Sequence, residues 1–295
     1  MIISNLYQHR SAPSSISAAY VLLLDNRKEV FRRLILPAIA FGISISLCLL
    51  AYTPNKTLNE WGLAHPVLTL LLLVSAAVLA IGASFWLVAS TFTMINGERT
   101  IMSLRRCGVA AIGFVLYNLL NFGVQYLCMN VLGSFLTNRF ADKAVTVMTV
   151  CSLLNVFISI LVMVVFQPYL YSTVKYLYDH TMTAKSLFTT DYLRGWKSVG
   201  HIFLTIFLAS IILTIVILIA STPFAIAYMA QVSNQIGMLE GDLSGAPSYL
   251  LWLVMGISAV TMTLMAFALV WKIFVLIFLY GSIETKDEST TPSEK

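Results

Sequence analysis

Six uncharged polar residues recur at helical spacing in two consecutive apolar stretches: Asn118, Asn121 and Gln125 in one, Ser152, Asn155 and Ser159 in the next. Amide and hydroxyl side chains within a bilayer seek partners across helices, at about 0.6–2 kcal/mol per contact. With the intervening turn centred near residue 140, Gln125 lies at the depth of Asn155 and Asn121 at that of Ser159. This matching predicts an interhelical hydrogen-bond ladder that fixes helix register. The same residues facing water would instead line a path for a small or lipid-like solute.

Other chemistry-bearing residues do not assemble into a reaction. Asp179, His180 and His201 lack the spacing of an acid–base pair, and Glu240 with Asp242 supplies too few carboxylates for a specific divalent-cation site. Cys48, Cys107, Cys128 and Cys151 form no CxxC pair and have no histidine at ligand spacing, so free thiols are expected and no metal site. Cys128 falls near Cys151 in the same register, where a disulfide is conceivable but two thiols at a helix contact are the expectation. A GxxxxGK[ST] phosphate loop, an HExxH pair and a GxSxG elbow are all absent from the sequence. We therefore expect no enzyme, no catalytic residue and no cofactor. The apolar stretches hold no carboxylate, which argues against a proton-coupled carrier. Asn55-Lys56-Thr57 matches a glycosylation sequon, which carries meaning only in a eukaryotic source.

These residues sit in a chain of 295 residues that is 59% hydrophobic and 11% charged, with mean hydropathy +0.86. A soluble domain carries roughly 25% charge. The composition implies an all-α integral membrane protein. Apolar runs place six transmembrane helices at about Leu34 to Tyr52, Pro66 to Met94, Val109 to Leu136, Ala144 to Pro168, Val199 to Tyr228 and Tyr249 to Tyr280. They divide the chain into an N-terminal cytoplasmic segment with an amphipathic helix (1–33), a six-helix membrane domain (34–280) and a disordered cytoplasmic tail (281–295). Residues 1–15 lack the apolar core and cleavage site of a signal peptide, so the first helix is expected to remain as an anchor.

Basic residues set the orientation. Twelve Lys and Arg precede the first, third and fifth spans, against Lys56, Arg139 and Lys143 on the opposite side, which puts both termini in the cytoplasm. The net charge of +5 lies beside the spans, so the expected partners are the bilayer and its anionic headgroups, not nucleic acid. The residues expected at the headgroups are Arg27, Lys28, Arg32, Arg33, Arg105, Arg106, Arg194 and Lys197.

The spans read as three hairpins, each outward helix preceded by a basic segment with an apolar stripe. Tyr20, Leu23, Leu24, Phe31 and Leu34 oppose Arg27, Lys28 and Arg32; Phe188, Tyr192, Trp196 and Val199 oppose Asp191, Arg194 and Lys197; the middle copy, Glu98 to Arg106, is short. Two or three amphipathic helices lying in the cytoplasmic interface are expected, or else helical extensions of the spans. Tyr169, Tyr171, Tyr176 and Tyr178 read as an aromatic belt, Lys272 as a snorkelling cation with Ile273 to Tyr280 against neighbouring helices, and Ala76, Ala80 and Ser84 as a close-packing face.

Basic segments at Tyr20 to Arg33 and Phe188 to Lys197, each leading into a hydrophobic hairpin, give a layout that resembles bacterial six-helix membrane families of poorly known function. These include the membrane domain fused to some glycerophosphodiester phosphodiesterases. The resemblance implies a non-enzymatic component of the bacterial cytoplasmic (inner) membrane. The expected function is that of a membrane-organising or partner-binding module, or alternatively a passive transporter or transport subunit.

Overall fold

The computed structural model describes residues 6–50, 53, 61–97, 99–139, 144–240, 247 and 249–290. The sequon Asn55-Lys56-Thr57, together with Lys143, Asp242 and residues 291–295, lies outside the described residues. All regular elements among the described residues are helical: α1 (Ala12–Asp25), α2 (Arg27–Leu50), α3 (Pro66–Asn96), α4 (Thr100–Gln125), a π-helical segment (Tyr126–Leu132), α5 (Gly133–Arg139), α6 (Ala144–Tyr178), α7 (Ala184–Phe188), α8 (Thr190–Lys197), α9 (Val199–Leu239) and α10 (Leu250–Thr290). Six of these stretches are long and apolar enough to cross a membrane: Arg27–Leu50, Pro66–Asn96, Thr100–Leu136, Val145–Tyr178, Val199–Met238 and Leu250–Lys286.

Helix ends follow local chemistry. Ser11 caps α1 by accepting from the Ser14 amide, and Gly97 ends α3 at φ 75°, a left-handed conformation that suits a residue without a Cβ. Asn26 breaks the chain between α1 and α2, with its backbone N–H and its Nδ2 both reaching the Leu22 carbonyl. The stripe running from Tyr20 to Leu34 is consequently split over two helices. The buried face of α1 is Ala12, Ser15, Ala19 and Leu22, whereas Tyr20 and Leu24 are exposed. Arg27 to Arg33 form the opening turns of the first span, and Thr100 to Arg106 those of the third. α1, parted from α2 at Asn26, and α7 with α8 stand as separate helices before a span.

α2 packs between α3 and α10, α9 packs on α10, α4 on α3, and α6 on α4. The crossing of α2 and α10 is close: a Cβ on Gly42 would sit 2.1 Å from Thr263 Oγ1 and 2.6 Å from the Ala259 carbonyl oxygen. One turn further, Ser46 Oγ donates to the Met255 carbonyl at 2.9 Å. Ala38, Gly42 and Ser46, four apart and all buried, make this the small-residue contact that lets two backbones approach in lipid. Ala76 and Ala80 are buried on α3, as their small-residue spacing predicts.

Burial changes abruptly along α6. Before Gln167 its residues are exposed or half-buried apart from Cys151; from Gln167 to Leu177 all are buried except Leu170. Pro168 does not end the helix, so the tyrosines that follow remain on it. Tyr169, Tyr171 and Tyr176 are core residues, not a belt at the bilayer surface, and they join Phe92, Ile202, Phe274 and Ile277 in the main cluster. Ile273 to Tyr280 lie against their neighbours as expected, with Phe274, Val275, Ile277, Phe278, Leu279 and Tyr280 all buried. Lys272 is half-buried and donates to Ser210 Oγ on α9 at 3.3 Å.

The chain beyond residue 280 is not a disordered tail over its described length. α10 continues to Thr290, and Gly281, Ser282 and Ile283 are buried. The reason is a strap formed by the other terminus. Leu6 packs so closely on α10 that a Cβ on Gly281 would lie 2.4 Å from the Leu6 carbonyl oxygen. Ser282 Oγ accepts from the Arg10 amide and donates to the Arg10 carbonyl, while the Arg10 guanidinium lies 4.9 Å from the centre of the Phe278 ring.

Candidate functional site

The amide side chains of the third span bond to their own helix. Asn118 Nδ2 donates to the Phe114 carbonyl at 2.7 Å and Asn121 Nδ2 to the Tyr117 carbonyl at 3.2 Å. Ser152 Oγ likewise donates to the Met148 carbonyl at 2.8 Å. Asn118 and Gln125 are exposed; Asn121, Asn155 and Ser159 are half-buried; Asn155 Oδ1 is buried without a hydrogen-bond partner. The expected ladder therefore does not form. Register reasoning assumed uniform helical spacing, but at Tyr126 the third span passes into a π-helical segment. Its extra residue shifts and rotates Gln125 relative to the turn.

The structure instead gathers its polar chemistry where α6, α8 and α10 end. Lys175, on the last turn of α6, is 3% exposed. Its Nζ lies 2.8 Å from Glu284 Oε1 on α10 and 3.3 Å from Asp191 Oδ1 on α8. Arg194 Nη1 reaches Glu284 Oε2 at 3.3 Å, and the Tyr171 hydroxyl donates to Glu284 Oε1. Among the described residues, two cations and two carboxylates meet in a site where an unpaired charge would be costly. Each comes from a different local logic: Lys175 lies one turn after Tyr171, Asp191 and Arg194 share a face of α8, and Glu284 extends the buried face of α10 by one turn beyond Tyr280.

A second cluster holds the end of α6. Arg106 Nη1 donates to the carbonyls of Tyr176 (2.6 Å) and Asp179 (2.8 Å), and Nη2 to that of His180 (2.6 Å). Its guanidinium also sits 4.8 Å from the centre of the Tyr176 ring. Asn96 Nδ2 adds bonds to the Leu177 and Tyr178 carbonyls. A guanidinium fork and an amide thus satisfy carbonyls that a helix C-terminus leaves open, at the end where its dipole favours a cation. Asp179 then closes the following turn by accepting from the amide and hydroxyl of Thr181 at 2.9 and 2.8 Å. Burial pushes this carboxyl up, but the two bonds from Thr181, with Lys175 and His180 nearby, outweigh it and hold the group below the usual carboxylate range.

The eight cations expected at headgroups divide accordingly. Arg27, Lys28, Arg32, Arg33, Arg105 and Lys197 are exposed, with Arg33 paired to Glu29 at 2.8 Å. Arg106 and Arg194 are half-buried and engaged with protein groups. Around the exposed cations lie exposed apolar side chains: Phe31 and Leu36, Ile101 and Met102, Leu193 and Trp196.

Sequence reasoning missed Lys175, Asp191 and Glu284 as a unit, along with Asn96 and the docking of Arg10. A signal existed for Glu284, since Ile277, Tyr280 and Glu284 recur on one helical face. None existed for the approach of α8, which depends on Gly195 meeting Pro168, where a Cβ would lie 2.9 Å from the Pro168 Cβ.

Compared with protein-family models, with curated proteins and with solved structures, the chain matches none.

Proposed function

We propose that the protein is a non-catalytic integral membrane module that holds anionic lipid headgroups on one face. One observation carries the reading: exposed Arg and Lys side chains alternate with exposed large apolar ones at the end of the bundle where Lys175 is locked. Arg27, Lys28, Arg32 and Arg33 stand beside Phe31 and Leu36, Arg105 beside Ile101 and Met102, and Lys197 beside Leu193 and Trp196. Water alone rewards only half of such a surface, whereas a headgroup region takes both. In this reading the spans form three hairpins, both termini are cytoplasmic, α1 and α8 lie in the interface, and the membrane is a bacterial inner one.

Full-length protein in neutral detergent is titrated with phosphatidylglycerol or phosphatidylcholine, and bound lipids are counted by native mass spectrometry. The expected result is retention of the anionic lipid over the zwitterionic one, with fewer adducts when Arg27, Lys28, Arg32 and Arg33 are all changed to Gln. Equal retention of both lipids would overturn the reading.

A second reading, passive transport, is favoured by the amide side chains of the third and fourth spans. Asn155 keeps a buried, unpartnered Oδ1 and Gln125 is exposed, in a region where lipid offers neither a hydrogen bond. Labelling of Gln125→Cys and Asn155→Cys by a membrane-impermeant thiol reagent, on a background without the four native cysteines, supports a water-filled path. Protection of both, with labelling at Gly241→Cys, removes it.

A further inference from the structure

Away from Lys175, the third and fourth spans meet through a contact built on sulfur. The π-helical segment Tyr126–Leu132 buries one residue, Cys128. Between Val145 and Phe166, α6 also buries one residue, Cys151. Both are free thiols, 6% and 1% exposed. Two contacts bracket the pair. Ser152, next to Cys151, donates from Oγ to the Sδ of Met129, next to Cys128, at 3.9 Å. Gly133, whose amide donates to the Cys128 carbonyl, faces Met148, so that a Cβ on Gly133 would lie 3.6 Å from Met148 Sδ. Ser152 Oγ bonds in turn to the Met148 carbonyl, one turn back along α6. Cys151 is buried in a stretch of α6 that is otherwise exposed or half-buried, and the segment it meets there is the one that buries Cys128.

The π-helical segment makes this arrangement. Its i→i+5 bonding stacks Cys128 and Gly133, five apart, on one face, whereas α-helical spacing would turn them about 140° from each other. Two thiols and two thioethers from two helices therefore gather within one turn, a ligand set that spacing along the chain could not disclose.

The chemistry of this set is specific. Thiol and thioether sulfurs are soft donors that favour Cu(I), whereas Mg and Ca take oxygen ligands. Structural zinc takes four ligands from Cys, His and carboxylates, and no group of three or more His, Cys, Asp or Glu occurs among the described residues. A cysteine gives up its thiol proton as it ligates. One Cu(I) that displaces one such proton leaves the charge at that depth unchanged, where lipid penalises charge.

We propose that Cys128 and Cys151, with the thioethers of Met129 and Met148, form an intramembrane binding site for a soft monovalent metal ion, Cu(I). Binding transfers no electrons: the ion enters as Cu(I), a copper–sulfur bond forms and a thiol proton leaves. The site shares no residue with the lipid-holding face and stands whether or not that face binds anionic lipid.

Full-length protein in neutral detergent, reduced and kept free of oxygen, is titrated with Cu(I) held by a coloured chelator, and loss of colour reports transfer. Wild type is expected to take one ion per chain, with sulfur neighbours in the X-ray absorption of the bound copper. Cys128→Ser and Cys151→Ser should each weaken binding by about tenfold or more, at least the cost of losing an outer contact in a metal site. Cys48→Ser and Cys107→Ser should leave it unchanged. No transfer from the chelator, equal weakening by Cys48→Ser or Cys107→Ser, or copper without sulfur neighbours overturns the proposal. Should a serine variant not fold, Met129→Leu with Met148→Leu conserves volume and carries the test: a loss of about tenfold supports the site, and unchanged affinity overturns it.

Discussion

Lys175 and Glu284, 109 residues apart in the chain, meet at 2.8 Å with side chains 4% and 15% exposed. Their contact joins the end of the fourth span to the C-terminal turns of the sixth. Asp191 completes the coordination of Lys175 from α8, so three segments depend on one ammonium group.

Removing Glu284 leaves the buried Lys175 ammonium with Asp191 as its remaining carboxylate in the cluster. Glu284→Ala is expected to cost about 3 kcal/mol, the low end of the range for breaking a buried pair from one side, because Asp191 still faces Lys175. Replacing Lys175 by Met and Asp191 by Asn as well, so that neither buried charge is left behind, should recover part of the loss. Chemical unfolding in detergent micelles checks both, and a triple variant no more stable than Glu284→Ala would mean that the cluster's charges do not depend on Glu284.

At Gly42 the space is fully taken. Gly42→Leu must separate α2 from α10 or displace Thr263, and overpacking of this kind costs about 1–3 kcal/mol or more. Gly82, on α3, has no heavy atom within 4 Å of an added Cβ, so Gly82→Ala should be neutral or stabilising by up to about 1 kcal/mol. Thermal unfolding of the two variants side by side gives the comparison.

Arg106→Lys retains the charge but loses the planar fork that serves Tyr176, Asp179 and His180 together. With hydrogen bonds to charged groups worth about 1.5–3 kcal/mol each, the lysine variant should lie closer to Arg106→Ala than to wild type. Faster amide exchange in the segment from Asp179 to Thr183 is the expected signature.

The Asp179 turn carries a pH dependence of known sign. Its carboxyl titrates below the ordinary 3.8, so its stabilising contribution is fully present above that value and is lost as pH falls through the lower folded value. Protection of the Thr181 amide, taken relative to Asp179→Asn, should stay level from neutral pH to about 4 and fall below it. A ratio that does not change on acidification would contradict the assignment.

The six spans were legible because an apolar run of some 20 residues has few other uses. Their ends were harder to read where the structure departs from a bilayer-only rule. Pro168 signals a stop, yet α6 continues for ten residues because neighbouring helices cover it. The run Ala38, Gly42, Ser46 carried the same small-residue signal as Ala76, Ala80, Ser84, and it marks the tighter contact. Glu284 and Lys175 are masked by their own charge: polarity beyond Tyr280 suggests a solvated tail, and Lys175 is one of the twelve basic residues that precede an odd-numbered span. The carboxylates that bury Lys175 arrive from elements remote in sequence, information that neither periodicity nor composition contains.

The strap at Leu6 to Arg10 has a consequence for biosynthesis. Its docking surface, Phe278 to Ser282, lies some 270 residues downstream, on the sixth span. Leu6 to Arg10 must therefore wait for this surface while the five earlier spans are made. Closing so long a loop is slow, although its entropic cost grows only logarithmically with length. Docking of the strap thus follows insertion of the earlier spans, and a ribosome stalled within the sixth span should leave Tyr7 and Arg10 open to protease while those spans are already in place.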